Sequence, residues 1–414
     1  MGEKESPDLA LINAGELVTC VATTKDELGV IADGALLVDE GLVTWVGTTK
    51  KFRQMSVKPT RVVNADGGLV TPGFVDPHTH LVFAGSREDE LERKVSGEGY
   101  KKILQEGGGI SRTIRETRNA SKARLVRESK GRVLQLMRNG VTTAEVKSGY
   151  GQNVKEELKM LAAVKALGAK VEVGLVPTLL GLHAKPPEFK GSGEYVDYAV
   201  REMLPKVAAS KMMPRFSDCF CEEGVFSRED CARYLRASAK AGFALKIHAD
   251  EFGDSGGASL AGDLKCVSAD HLGRSSKQGI EMMAKEGVVA VLMPGTSLFS
   301  GIPYADARMI VDSGCTVALG TDMSPNSWIE SPQLVMSLAC SGMRMTPAEA
   351  LLGFTRNAAK ALNREDIGVL GVGYSGDFVV HTLPSYRFLP YRVGGEYVRG
   401  VFRKGREIFH SEET

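Results

Sequence analysis

Short apolar runs separated by turn residues fill the first 65 positions of the chain. Glu16-Leu-Val-Thr-Cys, Gly34-Ala-Leu-Leu-Val-Asp, Leu42-Val-Thr-Trp-Val-Gly and Arg61-Val-Val read as β-strands, and no helical period stands out among them. From about Leu69 to Asn363 apolar runs of strand length alternate with longer segments of helical period, as in a parallel α/β sheet. Eight strands are predicted, beginning near Phe74, Thr143, Val171, Ser217, Leu245, Cys266, Val288 and Thr316. Two crossover helices carry start and stop signals. Asn153 and Glu156 are spaced for a capping box, Val154, Leu158, Leu161 and Ala162 share a face, and Gly168 suits the end; the other helix runs from Ser227 to about Lys240 and is closed by Gly242.

Eight strands with helical crossovers predict a (β/α)8 TIM barrel. After a last helix around Thr355 to Asn363, turns and short strands return in Gly376-Asp-Phe-Val-Val-His and Gly400-Val-Phe-Arg-Lys-Gly. A chain that starts and finishes in β-structure predicts a small β-sandwich domain assembled from both termini. Residues 1–65 and 364–414 are assigned to it, and 66–363 to the barrel. The 414 residues accommodate both, since such a barrel takes about 250.

Composition narrows the function without naming it. Hydrophobic residues are 43% and charged residues 25%, as in an ordinary globular protein. Lys plus Arg number 52 against 51 Asp plus Glu, so no overall positive field exists to gather nucleic acid or an anionic membrane, and a small-molecule partner is expected. The amino terminus lacks the apolar core of a signal peptide and no run of some 18 apolar residues occurs, so a cytoplasmic enzyme without membrane association is expected. Seven scattered cysteines fit a reducing compartment. The Cys219 and Cys221 pair has no second motif to close a structural zinc site.

The chemistry-bearing residues fall where apolar runs end. In Asp76-Pro77-His78-Thr79-His80 two histidines two apart on an extended strand project to one face and can converge on one cation. Taken by itself, that pair could equally be two hydrogen-bonded loop histidines. His248, His271 and Asp322 each close another apolar run. In a barrel, strand C-termini surround one mouth, so His78, His80, His248 and Asp322 could supply three neutral nitrogens and a carboxylate to Zn or Fe. A divalent metal there would make a nucleophile of water near neutral pH. His183 also follows a strand, whereas His381 and His410 lie in the terminal β-segment and read as structural. Glu251, three residues beyond His248, could shuttle a proton at the same mouth or begin a helix with an acidic first turn. Arg87 could clamp a substrate carboxylate or serve a surface ion pair. Gly107-Gly108-Gly109 and Gly149-Tyr150-Gly151 form no nucleotide-binding pattern.

At these residues the chain resembles the amidohydrolase superfamily. Thr71-Pro-Gly-Phe-Val-Asp-Pro-His-Thr-His80 and Thr321-Asp322 are general to it. His80-Leu-Val-Phe-Ala-Gly-Ser-Arg87, Gly107-Gly-Gly-Ile, Val141 to Gly151, His183-Ala-Lys-Pro-Pro-Glu and Lys246-Ile-His-Ala-Asp-Glu251 are similar to the branch that opens 4-imidazolone-5-propanoate to N-formimidoyl-L-glutamate in histidine degradation. The likeness runs over nearly the whole chain. It implies one divalent metal per subunit, zinc or iron, on His78, His80, His248 and Asp322. No lysine ends the fourth strand, so a carbamylated-lysine bridge between two metals is not expected. It also implies substrate contacts from Arg87, Tyr100, Tyr150, His183 and Glu251, catalytic roles for Glu251, His271 and Asp322, and a homodimer. In the loop after the eighth strand, where many bacterial members have Asp-x-Asn-Pro-Gly and a small hydroxyl residue, this chain has Asp322-Met-Ser-Pro-Asn-Ser327; contacts from Ser324, Asn326 and Ser327 are expected there too. Competing expectations are a deaminase of a guanine- or cytosine-like ring, and a catalytically silent barrel that serves as a binding subunit.

Overall fold

The computed structural model describes residues 6–24, 26–98, 106–212 and 214–411; Tyr100 lies outside the described residues. The N-terminal strands are β1 (Leu9–Val18), β2 (Val30–Asp39), β3 (Leu42–Thr48), β4 (Arg61–Asn64) and β5 (Leu69–Pro72). The barrel strands are β6 (Phe74–Asp76), β7 (Val141–Lys147), β8 (Gly174–Leu182), β9 (Phe216–Cys221), β10 (Ala244–Ala249), β11 (Ser268–His271), β12 (Val289–Leu292) and β13 (Val317–Leu319). The chain returns through β14 (Phe378–His381), β15 (Val398–Arg403) and β16 (Arg406–His410). No helix among the described residues is long and apolar enough to cross a membrane.

Strands from both termini form one sheet in the order β16-β15-β14-β5-β1-β2-β3, with β4 added to β1. β5 joins the two ends of the chain: Leu17 pairs with Val70 in parallel, and Thr71 with Val379 antiparallel. Gly73 then separates β5 from β6 and hands the chain to the barrel. A Cβ at Gly73 would stand 2.4 Å from Thr142 Oγ1, so this close crossing demands glycine. A short helix, Thr49–Phe52, interrupts the N-terminal strands where none was expected.

β6 to β13 follow one another in order, all parallel. The ring is joined at its C-terminal mouth by residues just past the first and last strands. Asp322 N donates to His78 O at 3.1 Å, and His80 N donates to Met323 O at 2.9 Å. The backbone of the first and eighth strand ends is thus tied together at the expected ligands.

The two helices read from the sequence form as Val154–Gly168 and Arg228–Lys240. Asn153 Oδ1 accepts from Glu156 N and Ser227 Oγ from Asp230 N, so each N-terminus is capped. Gly168 is the last residue of the first helix, whose C-cap is Ala169. The third barrel strand starts at Gly174, three residues past the expected Val171.

Side chains alternate along each strand, and this sets what fills the barrel. On β7 Ala144 and Val146 join the apolar layer under the helices, while Thr143, Glu145 and Lys147 take the other face. Val75, Val176, Phe216, Val289, Val291 and Ala318 form an apolar group on the inward positions. Above it, toward the mouth, the inward positions become charged.

Candidate active site

The strand ends gather five imidazoles. Ring centroids of His78 lie 5.3 Å from His80, 4.6 Å from His248 and 5.3 Å from His271; His80 stacks on His183 at 5.1 Å. Asp322 Oδ1 is 3.5 Å from His78 Nε2 and 3.4 Å from His80 Nε2. Two ligands held about 2.1 Å from one tetrahedral ion stand about 3.4 Å apart, so these separations fit donors that share a cation. Ligand atoms of His78, His80 and Asp322 all lie within 4.8 Å of one another, and His78 forms a second such group with His248 and His271.

The protonation logic agrees. Asp270 Oδ2 lies 2.6 Å from His78 Nδ1, and Asp218 Oδ2 lies 3.0 Å from His248 Nδ1. A carboxylate only accepts, so each Nδ1 carries the proton and each neutral ring presents the bare lone pair of Nε2. Those two Nε2 atoms are buried and, among the described residues, have no hydrogen-bond partner. Burial holds His78, His80 and His248 well below the ordinary histidine range; nearby Lys147 adds to this at His78 and His248, and His183 at His80. Burial also pushes Asp322 up to about 7. Several lone pairs and a carboxylate packed away from water form a donor set suited to a divalent cation.

Beneath the imidazoles lies a charged layer to which the sequence reading assigned no role. Lys147 Nζ is 2.7 Å from Asp218 Oδ2, 2.9 Å from Glu145 Oε2 and 3.5 Å from Asp270 Oδ2. Lys246 Nζ is 3.0 Å from Glu145 Oε1 and donates to Pro77 O at 2.8 Å. All five side chains are fully buried. Burial by itself would lower Lys147, but the three carboxylates outweigh it and hold the ammonium above its ordinary range. The signal for this layer was present as charged residues at period two inside apolar strand runs, Glu145 with Lys147, and Lys246 with His248.

The rim brings other expected residues near. Tyr150 is buried with its ring 5.9 Å from His80 and 5.1 Å from His183. Burial lowers His183 to about 4, and Arg87 is close enough to disfavour its protonation. Arg87 is 9% exposed, and its Nε lies 3.9 Å from Glu90 Oε2. Glu251 Oε2 is 3.6 Å from His271 Nε2. Burial, reinforced by Asp322 and Glu222, lifts Glu251 well above the usual carboxylate range, and burial drops His271 to about 4. Glu251 stands in a loop, and the next helix begins only at Gly257.

Asp322 and His271 both adopt left-handed backbone, with φ of 50° and 78°. Such conformations are uncommon for residues other than glycine and concentrate at working sites. In the loop that departs from the family pattern, Ser324 Oγ accepts from Ser327 N at 3.2 Å and Asn326 Nδ2 lies 3.3 Å from Ser300 Oγ. Asn326 has no positive φ, so replacing the usual glycine there costs no backbone strain. Away from the mouth, His381 is buried beside Thr71 and His410 is exposed beside Glu407.

Residues 69–408 match the model of the amidohydrolase family. Over 412 residues the chain is 43% identical to an imidazolonepropionase of Symbiobacterium thermophilum, with 97% of each chain covered. The chain belongs to the amidohydrolase family, within the imidazolonepropionases. An imidazolonepropionase of Parabacteroides distasonis is 42% identical over 411 residues, covering 97% of this chain and 99% of that one. The fold extends beyond the imidazolonepropionases. A 5-methylcytosine deaminase of Klebsiella pneumoniae liganded with phosphonocytosine superposes with a TM-score of 0.74 at 16% identity, covering 98% of this chain and 99% of that chain. A zinc-bound adenosine deaminase of Xanthomonas campestris does so with 0.70 at 18%, covering 98% and 93%. At such identity they share the architecture, and the activity follows the imidazolonepropionases.

Proposed function

We propose that the site hydrolyses the cyclic amide C–N bond of 4-imidazolone-5-propanoate to yield N-formimidoyl-L-glutamate, with one zinc or iron ion per subunit held by His78, His80, His248 and Asp322. The observation that carries this reading is the pair of buried, unpartnered Nε2 atoms of His78 and His248 beside a carboxylate already at ligand spacing from His78 and His80. A divalent ion held by His78, His80, His248 and Asp322 would supply an activated water and polarise the ring carbonyl.

The chain's own groups do the rest. Asp322 Oδ2 accepts from Thr296 Oγ1 at 2.6 Å, which fixes the carboxylate and leaves Oδ1 toward the imidazoles to orient the attacking oxygen. His271, neutral at the mouth, takes up a proton or stabilises the oxygen that gains charge at the carbonyl carbon. Glu251, held protonated in its buried loop, delivers a proton to the ring nitrogen as the C–N bond breaks. His183, stacked on His80 and flanked by Tyr150, holds the ring. Arg87, with Tyr150, takes the propionate carboxylate, and Ser324, Asn326 and Ser327 make further substrate contacts; Tyr100, implied as a contact by the family resemblance, lies outside the described residues. Fixing that carboxylate turns binding energy into orientation at the carbonyl.

An arginine aimed at a carboxylate favours an anionic imidazolone over a neutral nucleobase, which separates this reading from deamination. The test is product identification by mass spectrometry after incubating purified protein with the imidazolone. Formimidoylglutamate is expected. Ammonia release with the ring intact contradicts ring opening.

A further inference from the structure

One buried carboxylate near the mouth has no part in the steps above. Glu222 follows directly after β9 and is 3% exposed. Among the described residues no lysine or arginine pairs with it. A carboxylate removed from water without a cation must be compensated by hydrogen-bond donors. Those donors come from the neighbouring loop: Phe252 N donates to Oε2 at 3.0 Å and Ser255 Oγ to Oε1 at 3.3 Å. Burial raises the Glu222 carboxyl, and the neighbouring backbone N–H groups of this loop oppose that rise. Gly253 passes so close that a Cβ there would stand 3.3 Å from Oε1.

We propose that Glu222 is the positioning residue for Glu251: its carboxylate accepts from Phe252 N and Ser255 Oγ of the loop after the fifth barrel strand and so holds the Glu251 side chain against His271. A backbone N–H and a hydroxyl of the loop thus meet a carboxylate of the protein itself. The turn that brings Phe252 N to Glu222 begins at Asp250, whose φ is 54°. The Asp250 carboxylate is spent on the far side of the same loop, accepting from Ser255 N, Gly257 N, Ala258 N and Ser275 Oγ. Between these two anchors Glu251 Oε2 lies 3.6 Å from His271 Nε2. The loop otherwise lies outside any helix or strand, and besides the two carboxylates it is held by Arg274 N donating to Asp250 O at 2.9 Å.

The proposal rests on reading Glu251 as the proton relay, and a double-mutant cycle separates the two. Glu222→Ala, Glu222→Gln, Glu251→Gln and the corresponding double variants are made in the metal-loaded enzyme, and kcat, KM and metal content are measured. Glu222→Ala is expected to lower kcat by roughly 10- to 100-fold, with KM changed less than about threefold and metal content unaltered. Glu222→Gln keeps an acceptor oxygen and is expected to recover kcat to within about tenfold of wild type. In the Glu251→Gln background the Glu222→Ala change is expected to have no further effect, because both act on one proton transfer. Equal losses in both backgrounds, or a wild-type kcat in Glu222→Ala, overturn the positioning role. A wild-type kcat in Glu251→Gln removes the relay itself, and the anchor's catalytic meaning with it. Should Glu222→Ala fail to fold, the same cycle run with Glu222→Gln decides, since any loss it shows must vanish beside Glu251→Gln.

Discussion

Asp270 Oδ2 lies 2.6 Å from His78 Nδ1, while Ser268 Oγ donates to its other oxygen at 2.6 Å and Lys147 Nζ stands 3.5 Å away. This carboxylate selects the tautomer of the most central imidazole and shares an ammonium with Asp218, which does the same for His248. Orientation of two proposed ligands therefore depends on one buried triad, although both carboxylates meet the Nδ1 side of the rings and not Nε2. Removing such a partner typically weakens metal binding by about 10- to 100-fold. Asp270→Asn is predicted to fall in that range in a competition titration against a chromophoric chelator. An affinity equal to wild type would mean that His78 needs no such support.

Arg87 is predicted to act on binding. Arg87→Met should raise KM at least about tenfold, the scale of one charge-assisted contact, while metal content and kcat stay within about threefold. Steady-state kinetics with elemental analysis checks this. Unchanged KM removes Arg87 from the substrate's carboxylate.

His381 gives a pH dependence independent of the site. It is fully buried, with Nε2 3.1 Å from Thr71 Oγ1, and burial pushes it down to about 3. In the unfolded chain it titrates near about 6.5. Between those values the unfolded form binds the extra proton, so this contribution to stability is intact above pH ~6.5 and is lost as pH falls toward about 3. From pH 7 to pH 5 the wild type is predicted to lose roughly 2 kcal/mol more than His381→Asn in denaturant unfolding. Parallel stability curves for the two proteins refute the assignment.

What the sequence disclosed and what it hid have physical causes. His78, His80, His248, His271 and Asp322 were readable because each ends an apolar run, and a barrel puts all strand ends at one mouth. Asp218 and Asp270 were not assigned roles: recognising them requires knowing that β9, β10 and β11 are neighbours in register, with His248 paired to Asp270. Leu69–Pro72 looked continuous with the barrel because only Gly73 separates it from β6, yet its partners are β1 and β14. Arg132, on the helix Lys122–Arg138, is a second buried cation near the first loop. The structure commits Arg132 elsewhere: its Nη1 donates to Leu81 O and Phe83 O at 2.9 Å each, and its guanidinium lies 3.5 Å over the Phe83 ring. It braces the loop that leads to Arg87 and has little left for a substrate.

The central claim is that histidines from two segments and an aspartate from a third hold a single ion that the ring-opening reaction requires. The most direct measurement follows loss of imidazolone absorbance by chelator-stripped protein as zinc or ferrous iron is added back, with bound metal counted in the same samples. Activity is predicted to rise in proportion to bound metal and level off at one ion per chain, with His248→Ala neither binding nor turning over. Full turnover with less than about a tenth of an ion per chain would contradict the account.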